Sequence, residues 1–259
     1  MKAAFVGRVA ARGAPGILAK ITGKLDAAIL ADEGDAQRLI PALAEAELVV
    51  SHVWRPDFPP APNLRLLQSA TAGIDLIDVP SVPRGTTICN VFGHEPAIAE
   101  YIMMTMLALT HRLFDTVTAF RGGSWQGGPG GAPHGEILGS TIGILGYGRI
   151  GREVARRAVG FGCRVIAANR SPIADKGDAS EIYPLADLDR MLPQCDALVV
   201  AAGLAPETRG LIDARRLALM TPHCSCSTEA TRDRRWAQAA GNLDRFVRGE
   251  ALHNVVAMT

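Results

Sequence analysis

The sequence predicts an α/β protein with parallel sheets covered by helices, and three observations carry that expectation. Short apolar strands alternate with helical runs from Ala3 to Cys89. A glycine-rich turn, Gly146-Tyr147-Gly148-Arg149-Ile150-Gly151, joins an apolar strand to a helix. Hydrophobic residues make up 48% of the 259 and charged residues 20%, enough for a sizeable core and inconsistent with a disordered chain.

Taken in order, the candidate strands of the first part are Ala3–Val6, Ala27–Leu30, Leu48–Ser51, Leu64–Gln68 and Thr87–Cys89. They are short and apolar, as strands buried on both faces of a parallel sheet are. Asp35–Glu47 reads as a helix from its Ala, Leu and Glu content, with Pro41 as a break or kink. From Glu95 the run EPAIAEYIMMTMLALTHRL reads as one long helix, with Pro96 in the first turn, where no backbone donor is needed. Its most apolar part, Tyr101–Leu109, falls far short of the roughly 20 residues that span a bilayer. Arg121–Gly139, rich in Gly and Pro, reads as an exposed connection between two lobes.

In the second lobe Thr141–Leu145 is a strand, and Arg152–Val159 is a helix with Val154, Ala155, Ala158 and Val159 on one face. Cys163–Ala168 is the next strand, Ala186–Leu192 a short helix, Ala197–Ala202 a strand and Asp213–Met220 a helix. The tail, Ser227–Gly249, is amphipathic, with Trp236, Ala240, Leu243, Phe246 and Val247 on one side.

Charge and cysteine usage exclude several function classes. Lys+Arg is 27 against 26 Asp+Glu, a balance of +1, which argues against nucleic acid or an anionic membrane surface as a partner. The five cysteines are odd in number and scattered, as in a reduced, cytoplasmic protein. Cys224 and Cys226 form the one close pair, and a closed zinc site needs four ligands. His52, His94, His111, His134 and His253 show no ligand spacing and read as ordinary polar residues. The N-terminus has no long apolar run before a cleavage site, so no signal peptide is expected.

The glycine turn carries the most chemistry. Between a strand and a helix, G-x-G-x-x-G is a phosphate-binding turn of the Rossmann type: Gly146 permits the tight turn, Gly148 lets backbone approach a diphosphate, and Gly151 lets helix pack on strand. Backbone N–H groups of Gly148, Arg149, Ile150 and Gly151 at the positive helix end would hold the phosphates. After the next strand, where a carboxylate would select NAD, the residues are Asn169-Arg170-Ser171. Arg170 and Ser171 suit a 2′-phosphate, so the reading favours NADP over NAD. The alternative is an Arg170 that simply points to solvent.

Several segments together resemble the D-isomer-specific 2-hydroxyacid dehydrogenase family, including its phosphoglycerate dehydrogenases and glyoxylate/hydroxypyruvate reductases. Gln68–Asp75 (QSATAGID) resembles the family's substrate loop, whose backbone amides near Ala72-Gly73 hold the substrate carboxylate. Cys89-Asn90 and Ala99-Glu100-Tyr101 resemble the start of the helix joining the lobes, and Pro206–Ile212 (PETRGLI) a segment whose Thr208 lies near the nicotinamide. Before that segment the family has Pro-Leu-Thr where this chain has Gly203-Leu204-Ala205. Thr221-Pro222-His223 resembles the segment with the acid–base histidine, and Asn242-Leu243, Phe246, Gly249 and Asn254-Val255-Val256 resemble the C-terminal closure.

The resemblance implies a flavodoxin-like substrate domain, residues 1–100 with 226–259, and a doubly wound Rossmann cofactor domain, residues 101–225. It also implies hydride transfer between a nicotinamide and a small 2-oxo or 2-hydroxy acid. A histidine would move the hydroxyl proton, a carboxylate would tune it, and an arginine would grip the substrate. A homodimer through the cofactor lobe, with the Gly-rich connection near the interface, is implied too.

One departure is large. The family places two strand–helix units, with the catalytic Arg and Glu, between the helix resembled by Asp213–Met220 and the Thr-Pro-His segment. Here Met220 is followed directly by Thr221, an apparent internal deletion of about 60 residues at roughly 30 per unit. The cofactor domain is therefore expected to be truncated at one edge, with Ala197–Ala202 left as an apolar edge strand. Two functions stay open: an NAD(P)-dependent oxidoreductase impaired by this loss, or a catalytically inactive nucleotide-binding or interaction protein. Trp54 and Arg55 are candidates either for substrate contact or for packing.

Overall fold

The computed structural model describes residues 1–125, 135–205, 208–211 and 229–258. The first elements are β1 (Lys2–Val6), α1 (Arg8–Leu18), β2 (Asp26–Leu30), α2 (Ala36–Glu45), β3 (Leu48–Val50), β4 (Leu66–Gln68) and β5 (Thr87–Cys89). Then come α3 (Glu95–Thr110), α4 (Leu113–Arg121), β6 (Thr141–Leu145), α5 (Arg149–Gly160), β7 (Arg164–Asn169) and β8 (Glu181–Pro184). The last are α6 (Leu188–Met191), β9 (Ala197–Val200), α7 (Glu229–Arg248) and β10 (Val255–Met258). The chain divides into two units, Met1–His94 with Thr228–Thr259, and Glu95–Ser227.

The first unit is a six-stranded sheet ordered β10-β5-β4-β3-β1-β2. β1 to β5 are mutually parallel and β10 runs antiparallel on β5. The parallel part has the 2-1-3-4-5 order of flavodoxin-like folds. Because successive side chains of a strand point to opposite faces, β1 feeds two cores. Ala3 and Phe5 pack with Ile17, Leu48, Leu66 and Leu243, whereas Ala4 and Val6 pack with Leu43, Val49, Leu67 and Ile88. The sequence does not predict helix α1, since Gly13, Pro15 and Gly16 disfavour a helix. Burial of Ala10, Ala14 and Ile17 overrides that preference. Trp54 is 2% exposed in the second core and donates from Nε1 to Ser81 O at 3.3 Å, which is the packing role.

The second unit is a four-stranded parallel sheet ordered β8-β7-β6-β9. In chain order within the unit that is 3-2-1-4, the first four places of the six-stranded dinucleotide fold. Among the described residues β9 pairs with β6 alone. Asp213–Met220 lies outside the described residues. β8, only EIYP, is too short and too mixed in polarity to have stood out in the sequence.

Three expectations are corrected. The long helix from Glu95 ends at Thr110, because Arg112 adopts a left-handed φ of 51° that a helix cannot continue through. Its guanidinium then pairs with Asp115 in the first turn of α4. Val159 is 44% exposed, and Gly151 instead joins Val154, Ala155 and Ala158 on the buried face of α5. The connection expected to be exposed contains Ile137, which is buried, its carbonyl accepting from the Cys163 thiol at 3.2 Å. Among the described residues no helix is long and apolar enough to cross a membrane. Nor is there, among them, a group of three His, Cys, Asp or Glu able to hold a metal.

Candidate functional site

The glycine turn sits between β6 and α5, and its three glycines face different surroundings. Gly146 has φ +95°, and a Cβ there would lie 2.5 Å from Ala202 N, so both its conformation and its neighbours demand glycine. A Cβ on Gly151 would lie 2.5 Å from the Gly146 carbonyl oxygen. A Cβ on Gly148 would meet nothing within 4 Å, so this glycine opens onto free space in front of the helix. Gly148 caps α5 without a side-chain hydrogen bond, and the first helical bond runs from Arg152 N–H to Gly148 O at 3.0 Å. The N–H groups of Ile150 and Gly151 precede that bond and have no acceptor within the helix. An open approach, an uncapped helix start and close-packed flanking glycines fit a diphosphate. The turn fits the dinucleotide that the sequence implies.

Tyr147 supports this turn from below. It is 1% exposed, its hydroxyl donates to Lys176 O at 2.8 Å and accepts from Ala179 N at 3.1 Å, and burial pushes its phenol pKa up. The Tyr147 N–H donates to Asn169 Oδ1 at 3.1 Å, while Asn169 Nδ2 donates to Ser171 O at 2.8 Å. Asn169 therefore ties the end of β7 to the glycine turn, with Arg170 and Ser171 exposed beside it. Thr208 lies in the chain that follows β9; its hydroxyl accepts from Ala205 N at 2.8 Å and donates to Gly203 O at 2.8 Å.

In the first unit, the loop after β4 shows a consistent polarity. Four of its carbonyls accept side-chain hydrogen bonds: Ser69 O from Gln68 Nε2 at 3.0 Å, Thr71 O from Ser69 Oγ at 3.0 Å, Ala72 O from Asn90 Nδ2 at 2.7 Å, and Gly73 O from Thr71 Oγ1 at 2.9 Å. The N–H groups of Ala72, Gly73 and Ile74 donate to nothing among the described residues. Three successive N–H donors beside exposed Gly73 are left without acceptors, and the Asp75 carboxylate lies close by: a Cβ on Gly73 would come 2.6 Å from Asp75 Oδ1. The sequence points to Ala72 and Gly73 as substrate contacts, and it places Gln68, Asn90 and Asn242 in family-like segments without assigning them a role at this loop. Their one signal was a polar amide at the end of an apolar strand (LLQ, ICN) or within an apolar helix face. His223, with Thr221 and Pro222, lies outside the described residues, as do Pro206 and Glu207.

Residues 103–225 match the family described as D-isomer specific 2-hydroxyacid dehydrogenase, NAD binding domain. Over this stretch the chain belongs to the D-isomer specific 2-hydroxyacid dehydrogenase family. It is 36% identical to a glyoxylate reductase of Thermococcus gammatolerans over 175 residues, 64% of this chain and 51% of the relative. A hydroxypyruvate reductase of Thermotoga maritima is 32% identical over 160 residues, 61% of this chain and 50% of the relative. The chain thus spans about half the length of the curated relatives it matches. A D-isomer specific 2-hydroxyacid dehydrogenase family protein from Aeromonas salmonicida shares the fold, with a TM-score of 0.79 at 21% identity over 99% of this chain and 98% of that one. The second unit of this dehydrogenase-family chain is accordingly an NAD-binding domain of the Rossmann kind.

Proposed function

We propose that this chain binds a nicotinamide dinucleotide and a small 2-oxo or 2-hydroxy acid, and acts as an oxidoreductase on CH–OH groups with reduced turnover. The open, uncapped turn at Gly148 is the observation that carries the reading. Gly146 and Gly151 shape the turn, and the backbone of Gly148, Arg149, Ile150 and Gly151 receives the diphosphate. Asn169, Arg170 and Ser171 face the adenosine ribose. NADP is the preferred form, since a cationic Arg170 beside the Ser171 hydroxyl attracts a 2′-phosphate and no carboxylate stands there to repel it. Thr208 holds the loop after β9 in shape by its bonds to Gly203 and Ala205.

The Ala72–Ile74 amides take the substrate carboxylate, fixing the acid at one end by charge-assisted hydrogen bonds. A reduced nicotinamide, when bound, supplies the hydride. His223 moves the proton at the substrate oxygen. It does so without the Arg and Glu that the family places before it, and that loss lowers the rate. A homodimer accords with the large apolar side chains exposed on and beside α4: Phe114 at 66%, Phe120 at 60% and Trp125 at 72%.

Titration of the purified chain with NADPH and with NADH tests the reading. Saturable binding of both, tighter for NADPH, is expected. Tighter NADH overturns the cofactor preference, and no occupancy at millimolar dinucleotide overturns the reading as a whole. Oxidation of NADPH with glyoxylate or hydroxypyruvate then measures turnover, expected well below the ordinary enzymatic range of about 1–1000 per second.

A further inference from the structure

The loop at Ala72–Ile74 is braced by buried amide side chains. Gln68 is fully buried and Asn242 is 3% exposed. Asn242 Nδ2 donates to Gln68 Oε1 at 3.1 Å and to His253 O at 2.6 Å, and Asn242 Oδ1 accepts from His253 N at 2.9 Å. Gln68 Nε2 passes this order on to Ser69 O at 3.0 Å, the carbonyl that begins the cradle loop. From the other side Asn90, 6% exposed, donates from Nδ2 to Ala72 O at 2.7 Å, while its own N–H is tied to Asn254 O at 3.2 Å. Asn242 lies on α7 and Asn254 precedes β10, so both routes lead back to the C-terminal segment.

Asn90 carries a further sign of purpose. Its Oδ1 is buried and has no hydrogen-bond partner among the described residues. A buried acceptor without a donor is unfavourable, and natural structures retain few of them. What Asn90 gains in exchange is the short bond to the Ala72 carbonyl. That bond fixes the plane of the Ala72–Gly73 peptide and so the direction of the Gly73 N–H.

We infer that Gln68, Asn90 and Asn242 are positioning residues: a buried amide relay that holds the cradle loop from the C-terminal helix and strand, with Asn90 setting the direction of the Gly73 N–H through the Ala72 carbonyl. The inference rests on the proposal that the Ala72–Ile74 amides receive a carboxylate, and it adds which residues hold their loop. A preset cradle has no ordering cost to meet when the acid binds, so the relay acts on affinity for the acid and leaves the dinucleotide alone.

The test uses the full chain, with oxamate as the 2-oxo-acid probe in the presence of NADPH, and backbone NMR of the loop. Asn90→Leu keeps the shape and removes the donor. Thr86→Val is the control; it removes a buried hydroxyl whose bond to Leu64 O, 3.2 Å, lies elsewhere in the same unit. Wild type is expected to show oxamate-dependent shifts at Ala72–Ile74 and order parameters as high as those of β4 and β5. Asn90→Leu should weaken oxamate about five- to tenfold, the equivalent of one hydrogen bond, and lower the loop order parameters, with NADPH affinity unchanged. Thr86→Val should move neither. The relay is overturned if Asn90→Leu leaves the loop order parameters at the wild-type level, or if Thr86→Val weakens oxamate as much. If wild type ignores oxamate, the carboxylate assignment falls, and the order parameters of Asn90→Leu still decide the relay by themselves.

Discussion

As proposed here, the two units would present backbone N–H groups to an anion, and they would do so by different means. In the second unit the donors come from a helix start, and the glycines do the shaping: Gly146 through its φ of +95°, Gly151 through contact with the Gly146 carbonyl. In the first unit the donors come from an irregular loop, and the shaping is done by buried amides from residues as distant as Asn242. A local solution survives only if its glycines are kept. A relayed solution survives only if a distant helix stays packed.

The sharpest way to separate them is to disturb the packing of α7. Leu243 is fully buried against Phe5, Leu48 and Leu66. Leu243→Ala should cost about 2–5 kcal/mol, read by urea unfolding, and should weaken oxamate while leaving dinucleotide affinity as it is. Equal loss of both ligands would mean that the units are not independent in this respect. The converse change is Gly146→Ala, where the new methyl meets Ala202 backbone and the φ is unfavourable. Dinucleotide binding should weaken by up to about a hundredfold, with the oxamate-sensitive amides of the first unit unmoved.

A smaller effect tests how α7 is anchored. Asp244 Oδ1 accepts from Thr22 Oγ1 at 2.6 Å, Thr22 N at 3.1 Å and Gly23 N at 3.2 Å, and these bonds hold its carboxyl pKa below the usual value. A folded pKa below the unfolded one adds stability that is fully present above the ordinary carboxylate value of about 3.9 and is lost as pH falls through the folded value. Asp244→Asn should therefore melt a few degrees below wild type at neutral pH, and the gap should close on acidification through that window. A gap that persists unchanged into strong acid would assign the loss to geometry rather than charge.

This contrast also explains what the sequence disclosed. The phosphate turn could be read because its requirements are local: strand, glycines and helix are contiguous, and the 3-2-1-4 sheet follows from that unit. Strands β1 to β5 were legible because each is an apolar run bounded by turn residues. Helix α1 is hidden in the sequence because Gly13 and Gly16 speak against helix, yet they leave room for the ring of Trp236, which a Cβ on Gly16 would overlap. Asn90 and Gln68 looked like ordinary strand-end polar residues, since their partners are carbonyls and an amide that no local pattern announces. The burial of Cys89, by contrast, follows from its place in the apolar strand β5, where desolvation pushes its thiol up to about 11.

The first sheet is closed by a strand that the ribosome makes after the whole of the second unit. β5 gains its antiparallel neighbour only when Val255–Met258 has been synthesised. During translation the glycine turn at Gly146–Gly151 is therefore made while the loop at Ala72–Ile74 still waits for Asn242 and the Asn254 carbonyl. A nascent chain halted before α7 would present the β5 edge of its first sheet bare, a row of unpaired N–H and C=O groups.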